Sequence, residues 1–173
     1  MKIKSFTYNK LFSYSVTFGI SGILILFIIR SYQLEDQAQI RILKYIGLLF
    51  LLLLGIAISK FLIPSINQVS ALELNNLSLV DRVRNREAFW KDIKEIRLIR
   101  FRNGGAGICI DLADKKSFTS NLNLGQRFIG WMSNLAYGTP FVIPLQYISG
   151  FNKDIFETIQ QYRDHMSNKL GKG

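Results

Sequence analysis

Apolar and polar positions divide this chain into two materials. Residues 11–29 form an apolar run bracketed by Lys10 and Arg30, and residues 45–59 form a second one bracketed by Lys44 and Lys60. Neither run holds an ionisable group apart from the weakly acidic Tyr14 and Tyr45. At 1.5 Å of rise per residue the first run is about 28 Å long as a helix, close to the ~30 Å hydrocarbon thickness of a bilayer. The second reaches spanning length when residues 40–44 or 61–66 join it, with Lys44 and Lys60 snorkelling to the headgroups. Only the polar residues 31–39 lie between the runs. The pattern predicts a two-helix transmembrane hairpin within residues 1–66, with spans at about 11–29 and 43–63 and both termini on one side of the membrane. A core helix as long as the first run normally keeps a polar face, which argues against a buried core helix here. A signal peptide would use Lys2, Lys4 and Lys10 as its basic region. The apolar stretch is too long for that, and it ends in Ile28-Ile29-Arg30 without a small-residue cleavage site. An uncleaved anchor is expected.

Beyond the second run the period changes. Pro64 is expected to end or kink the second helix near the interface. Residues 67–173 then suffice for one small domain with its own core. Leu72 and Leu74 alternate with Ala71 and Glu73. Asn75-Asn76 suits a turn because Asn tolerates positive φ. A return strand follows with Leu77, Leu79 and Val83 on one face, which makes a hairpin. Along residues 94–101, Ile96 and Leu98 oppose Ile99 and Phe101. Asn103-Gly104-Gly105 is the strongest turn signal in the chain, and Ile108, Ile110 and Leu112 then alternate with Cys109 and Asp111 on a returning strand. Asp114-Lys115-Lys116 reads as another turn. Leu124, Phe128, Trp131, Met132 and Leu135 recur at helical spacing over residues 124–137, and Gly138-Thr139-Pro140 stops that helix. Residues 141–145 read as a short strand that Pro144 confines to an edge. An amphipathic helix closes the chain. Asn152 is its expected N-cap, Asp154 and Glu157 lie near its positive end, and Ile155, Ile159, Tyr162 and Met166 form its stripe with Phe156 beside them. Residues 169–173 should fray.

Charge sharpens the assignment of compartment. The chain carries a formal +10. Seven basic residues (2, 4, 10, 30, 41, 44 and 60) flank the apolar runs, beside Glu35 and Asp36; the remaining 15 Lys/Arg and 10 Asp/Glu leave the distal part at +5. That balance suits an anionic leaflet, which attracts nearby basic residues. It does not require nucleic acid, and no nucleic-acid motif is present. Four basic residues on the terminal flanks against three around the loop lean toward cytoplasmic termini by the positive-inside rule. The single cysteine, Cys109, excludes an intramolecular disulfide and fits a reducing compartment.

Two segments carry a resemblance. Phe89-Trp90-Lys91-Asp92-Ile93 enters a strand, and Gly138-Thr139-Pro140-Phe141-Val142-Ile143-Pro144-Leu145 precedes the last helix. With short antiparallel strands and one C-terminal helix, the distal part resembles the pleckstrin-homology-like (PH-like) fold. With the two N-terminal spans, the whole chain resembles a family of small uncharacterised bacterial membrane proteins with a PH-like C-terminal domain. The resemblance implies an α+β protein: a two-helix transmembrane hairpin, then a small PH-like antiparallel β domain (residues 67–173) with a C-terminal amphipathic helix, at the cytoplasmic face of a bacterial inner membrane. It supplies no catalytic residue and no cofactor. Lipid-reading PH domains commonly put basic residues around the first hairpin's turn, whereas Asn75-Asn76 is uncharged and the basic cluster comes later.

That cluster, Arg82, Arg84 and Arg86, would share one face of a continuing strand and clamp phosphates or carboxylates, or would form a solvated face answered by Asp81, Glu87 or Asp92. Arg100 and Arg102 would extend it. Trp131 and Tyr137 are candidate interfacial contacts if residues 124–137 lie at the headgroups. Such anchors usually carry several basic residues and this one has only Arg127, so packing against the sheet is the expectation. Trp90 reads as a core residue and Cys109 as inert, the lone His165 being far away in sequence. No spaced metal ligands and no phosphate loop appear. The sequence therefore points to a non-enzymatic tethered module. It would bind a protein partner or the anionic leaflet through the edge strand near residues 141–145, the arginine face, or the groove between helix and sheet. The alternative is a structural subunit of a membrane oligomer. Its spans carry Gly19, Gly22 and Gly55, which form no GxxxG pair.

Overall fold

The computed structural model describes residues 3–31, 33–34, 36–102 and 104–170, with residues 169 and 170 as backbone only. Lys2, Glu35, Asn103 and the tail 171–173, which entered the reading above, lie outside the described residues. Two long apolar helices precede antiparallel sheets. The first is α1 (Lys10–Ser31) and the second α2 (Gln37–Ala57). Asp36 caps α2 through Ala38 N–H. Both helices are long and apolar enough to cross a membrane. Their outward Leu, Ile and Phe side chains remain exposed, as expected of surfaces whose solvent is lipid. Within the hairpin, Phe27 meets Phe50 at 5.3 Å and Phe12 meets Phe61 at 6.1 Å. Ser13, Thr17 and Ser21 return their hydroxyls to the carbonyls of Asn9, Ser13 and Thr17.

Pro64 does not end the second helix. The chain widens into a π turn over Ile58–Leu62, where Ile63 N–H donates to Ile58 O, and then continues as α3 (Ile63–Ile66). A proline lacks the N–H for its own turn and crowds the carbonyl four residues back, and the wider turn relieves both problems. Gln68, at φ 52°, closes the helix.

The chain divides into two compact units, residues 8–69 and residues 1–7 with 70–173. The second includes a strand that the sequence reading missed. β1 (Lys4–Thr7) pairs antiparallel with β2 (Ser70–Leu74). The segment before the first apolar helix and the segment after the second are thus neighbours in one sheet. Lys4 and Phe6 alternate too briefly to announce a strand. β2 is followed by β3 (Ser78–Asp81) and β4 (Arg86–Phe89), giving a four-stranded sheet in the order β1-β2-β3-β4. β5 (Ile93–Arg100), β6 (Ala106–Leu112) and β7 (Phe141–Pro144) form a three-stranded sheet in the order β5-β6-β7.

The first hairpin turns at Asn75-Asn76 without positive φ there. Instead the Asn75 side chain accepts from Leu77 N–H and Ser78 N–H at 2.8 and 2.7 Å. Leu77 is exposed in this turn while Leu79 is buried, so the two do not share a face. Ile96 is likewise buried and Leu98 exposed. Asp114-Lys115-Lys116 is the start of a short helix, α4 (Lys115–Ser120), rather than a simple turn. Asp114 accepts from Lys116 and Ser117 N–H. Helix α5 (Leu124–Tyr137) has the expected bounds. Helix α6 (Asn152–Leu170) starts one residue earlier than expected, because Ile155 N–H already donates to Phe151 O. Its stripe of Ile155, Ile159, Tyr162 and Met166 is buried. Trp90 is buried too, donating to Asn75 O at 2.8 Å, with its ring 6.3 Å from that of Tyr162. The core is filled by Leu72, Leu74, Leu79, Ile108, Ile110, Phe141 and Ile143.

Candidate functional site

The arginine cluster does not form a face. β3 ends at Asp81, and residues 82–85 make a turn whose Asn85 sits at φ 50°. Arg82 is exposed and pairs with Glu73 at 2.9 Å. Arg84 is half-buried and donates to Val142 O at 3.0 Å. Arg86 is buried. It donates to Pro140 O at 3.1 Å and to Val142 O at 2.8 Å, and meets Asp81 at 3.2 Å. Its guanidinium lies over the Phe141 ring, 4.7 Å from the centroid. Burial pushes the Asp81 carboxyl above its ordinary value against the pull of Arg86, and burial lowers Arg86. These groups are structural. In place of the expected continuous strand, the turn sends Arg82 to Glu73 and brings Arg84 and Arg86 together on Val142 O.

The same contacts correct the reading of β7. It is an edge strand by pairing order, yet all four of its residues are buried. Arg84 and Arg86 both donate to one of its carbonyls, Val142 O. The guanidinium groups blunt that edge at Val142, as a covering segment would. Arg100 and Arg102 do not join the cluster. Both are exposed at the β5 end of the second sheet, and β5 is the edge opposite β7.

Cys109 is fully buried in β6, and burial pushes its thiol up to about 11. His165 is exposed on α6. Among the described residues, no group of three or more His, Cys, Asp or Glu comes together as a metal site.

The feature with an unmet chemical demand is α5. Its start is fixed by a capping box between Asn123 and Gln126. The Gln126 side chain also donates to Arg84 O and Asn85 O at 2.9 and 3.0 Å, tying the helix to the β3–β4 turn. Its end is fixed by Gly138 at φ +77°, a left-handed cap that donates to Asn134 O. Gly130 is the only buried residue of the helix. A Cβ there would lie 3.5 Å from Pro140 Cβ, so a small residue lets the helix sit close to the chain. The inward side therefore runs through Gln126, Gly130, Ser133 and Tyr137. The apolar stripe faces out: Leu124 is 84% exposed, Phe128 60%, Trp131 60% and Leu135 77%.

This overturns the expected packing of the stripe on the sheet. Trp131 lies on the exposed face, whereas Tyr137 is half-buried and meets Phe101 edge-on at 5.6 Å. The structure does not bring the two together. Sequence reasoning found the helix and missed its orientation. The available signal was Gly130 opposite the apolar stripe, where an outward face would normally carry charge.

Beside α5, the α4–α5 groove is lined by Lys115, Lys116, Thr119, Ser120, Arg127 and Trp131, among others, and encloses about 480 Å³. Arg127 donates to Leu122 O at 2.9 Å and to Ser120 O at 2.6 Å, closing the end of α4. Lys115 donates to Gly138 O. Between Asp114 and Asp154 the sequence contains no acidic residue. No protein-family model, no curated protein and no solved structure matches this chain.

Proposed function

We propose that this chain is a non-enzymatic, membrane-tethered module that lays α5 on the leaflet to which its two spans anchor it. The observation that carries this reading is the outward apolar stripe of Leu124, Phe128, Trp131 and Leu135. A contiguous apolar face of that kind on a folded domain marks an interaction site. Lipid is the favoured occupant because of the charge pattern: no acid lies within residues 115–153, and Lys115, Lys116 and Arg127 flank the stripe. Trp131 is amphipathic and suits headgroup depth. Tethering makes weak docking effective, because the face is held near its target without further contacts.

In this reading the distal domain is PH-like. The order of four antiparallel strands, three antiparallel strands and a closing helix supports that assignment. The β1–β2 pairing supports a hairpin with both ends on one side. The charge asymmetry supports the cytoplasmic side of a bacterial inner membrane. The docking element differs from the arginine cluster, whose Arg82, Arg84 and Arg86 are paired within the domain.

The test is depth-dependent quenching of Trp131 fluorescence in the full chain reconstituted in lipid nanodiscs, using lipids brominated along their acyl chains. Trp131→Phe supplies the background from Trp90. Quenching that requires Trp131 is expected. Water-exposed, unquenched emission from Trp131 would refute the reading.

A specific observation also favours the structural alternative. Cβ atoms built at Gly19, Gly22 and Gly55 meet nothing within 4 Å, so these small positions are open to another helix. Crosslinking in membranes that yields monomer alone would remove this reading.

A further inference from the structure

We infer that the α4–α5 groove binds the phosphate of an anionic lipid headgroup, a reading that rests on α5 being the membrane face. Three cations converge on the groove, from Lys115, Lys116 and Arg127. Each retains donors after its internal contacts. Lys115 spends one N–H on Gly138 O, and Arg127 spends its Nε and one Nη proton on α4 and loop carbonyls. An ammonium has three donors and a guanidinium five. Thr119 and Ser120 return their hydroxyls to α4 carbonyls, so they shape the wall, and the cations supply the charge. The Asn134 amide lines the opposite side.

The occupant is lipid-borne because the groove opens onto apolar surface. Trp131 belongs both to the groove and to the exposed stripe. A ligand charged at one end and apolar beyond it satisfies the two surfaces together, whereas a free phosphate leaves the tryptophan wall and the stripe uncovered. Charge complementarity points the same way, since no carboxylate is among the described residues that line the groove. The groove lies in the insertion between β6 and β7, away from the uncharged first hairpin turn.

The experiment measures Trp131 quenching by brominated lipid in full-chain nanodiscs of pure phosphatidylcholine and of phosphatidylcholine with phosphatidylglycerol. Docking should strengthen with phosphatidylglycerol by about fivefold for each groove lysine engaged. Lys115→Ala/Lys116→Ala should abolish the gain, and Lys116→Ala alone, which leaves the Gly138 contact intact, should remove part of it. Lys153→Ala, a charge loss outside the groove, should keep the gain. Equal quenching in both disc types overturns the headgroup site and leaves the docking of α5 standing. Absence of Trp131 quenching in either overturns the docking itself. A loss with Lys153→Ala equal to that of the double variant shows non-specific charge attraction and overturns the groove. Millimolar inorganic phosphate that reverses the phosphatidylglycerol effect at constant ionic strength shows a soluble anion as the occupant and overturns the lipid assignment.

Discussion

Helices α5 and α6 carry equally clear apolar stripes and use them in opposite ways. In α6, Ile155, Ile159, Tyr162 and Met166 are buried, and the opposite side carries Lys153, Asp154, Glu157 and Asp164. In α5, Leu124, Phe128, Trp131 and Leu135 face out, and the buried side is Gly130. Periodicity says which face of a helix is apolar. It does not say what covers that face. The composition of the other face carries that information: a charged back implies that the apolar face is covered within the domain, whereas a small, uncharged back allows the helix to be seated by it.

Substitutions in and around the two helices should differ widely in cost. The largest effect is expected at Arg86, whose side chain holds Pro140 O and Val142 O in the segment that follows α5. Arg86→Ala leaves Asp81 buried without its partner and should cost about 3–5 kcal/mol, read by thermal or denaturant unfolding in detergent. A cost near zero would mean that the pair does not fix the exit of α5. Next, Ile159→Ala on α6 should cost about 2–5 kcal/mol, since it empties a fully buried position.

Cys109 reports the buried side of the domain. Its folded pKa is raised from 9.0 to about 11 by burial. The folded state therefore holds its proton more tightly than the unfolded state. That stabilising contribution is complete below pH 9 and fades as pH rises toward 11. Alkylation at pH 8 should be slow in the folded chain and fast after unfolding; rapid modification of the folded chain would contradict the burial. The smallest effect is expected on α5, where Leu135→Ala should change stability by no more than about 0.5 kcal/mol. A cost like that of Ile159→Ala would show that the stripe of α5 is covered after all.

Much of the fold was legible because it follows from period and punctuation. The apolar runs give α1 and α2, Asn75-Asn76 gives the first turn, and the glycine after Tyr137 ends α5. The missed parts depend on partners distant in sequence. β1 becomes a strand only because β2 lies beside it, more than sixty residues later in the chain. Arg84 and Arg86 are consumed because the β3–β4 turn brings them to carbonyls more than fifty residues away. Their alternation looked like one side of a strand, and a four-residue turn cannot be distinguished from a strand by charge alone. Pro64 was a correct signal of irregularity, answered by a π turn that lets the helix continue.

The central claim, that the stripe of α5 lies in lipid, is tested most directly by a nitroxide at Leu135→Cys in the full chain in nanodiscs. Cys109 is fully buried, which leaves the new thiol as the accessible one. Paramagnetic relaxation of this nitroxide by oxygen is expected to exceed that by a water-soluble nickel chelate, as it does for a site in the acyl region. Relaxation dominated by the nickel chelate would place Leu135 in water and contradict the claim.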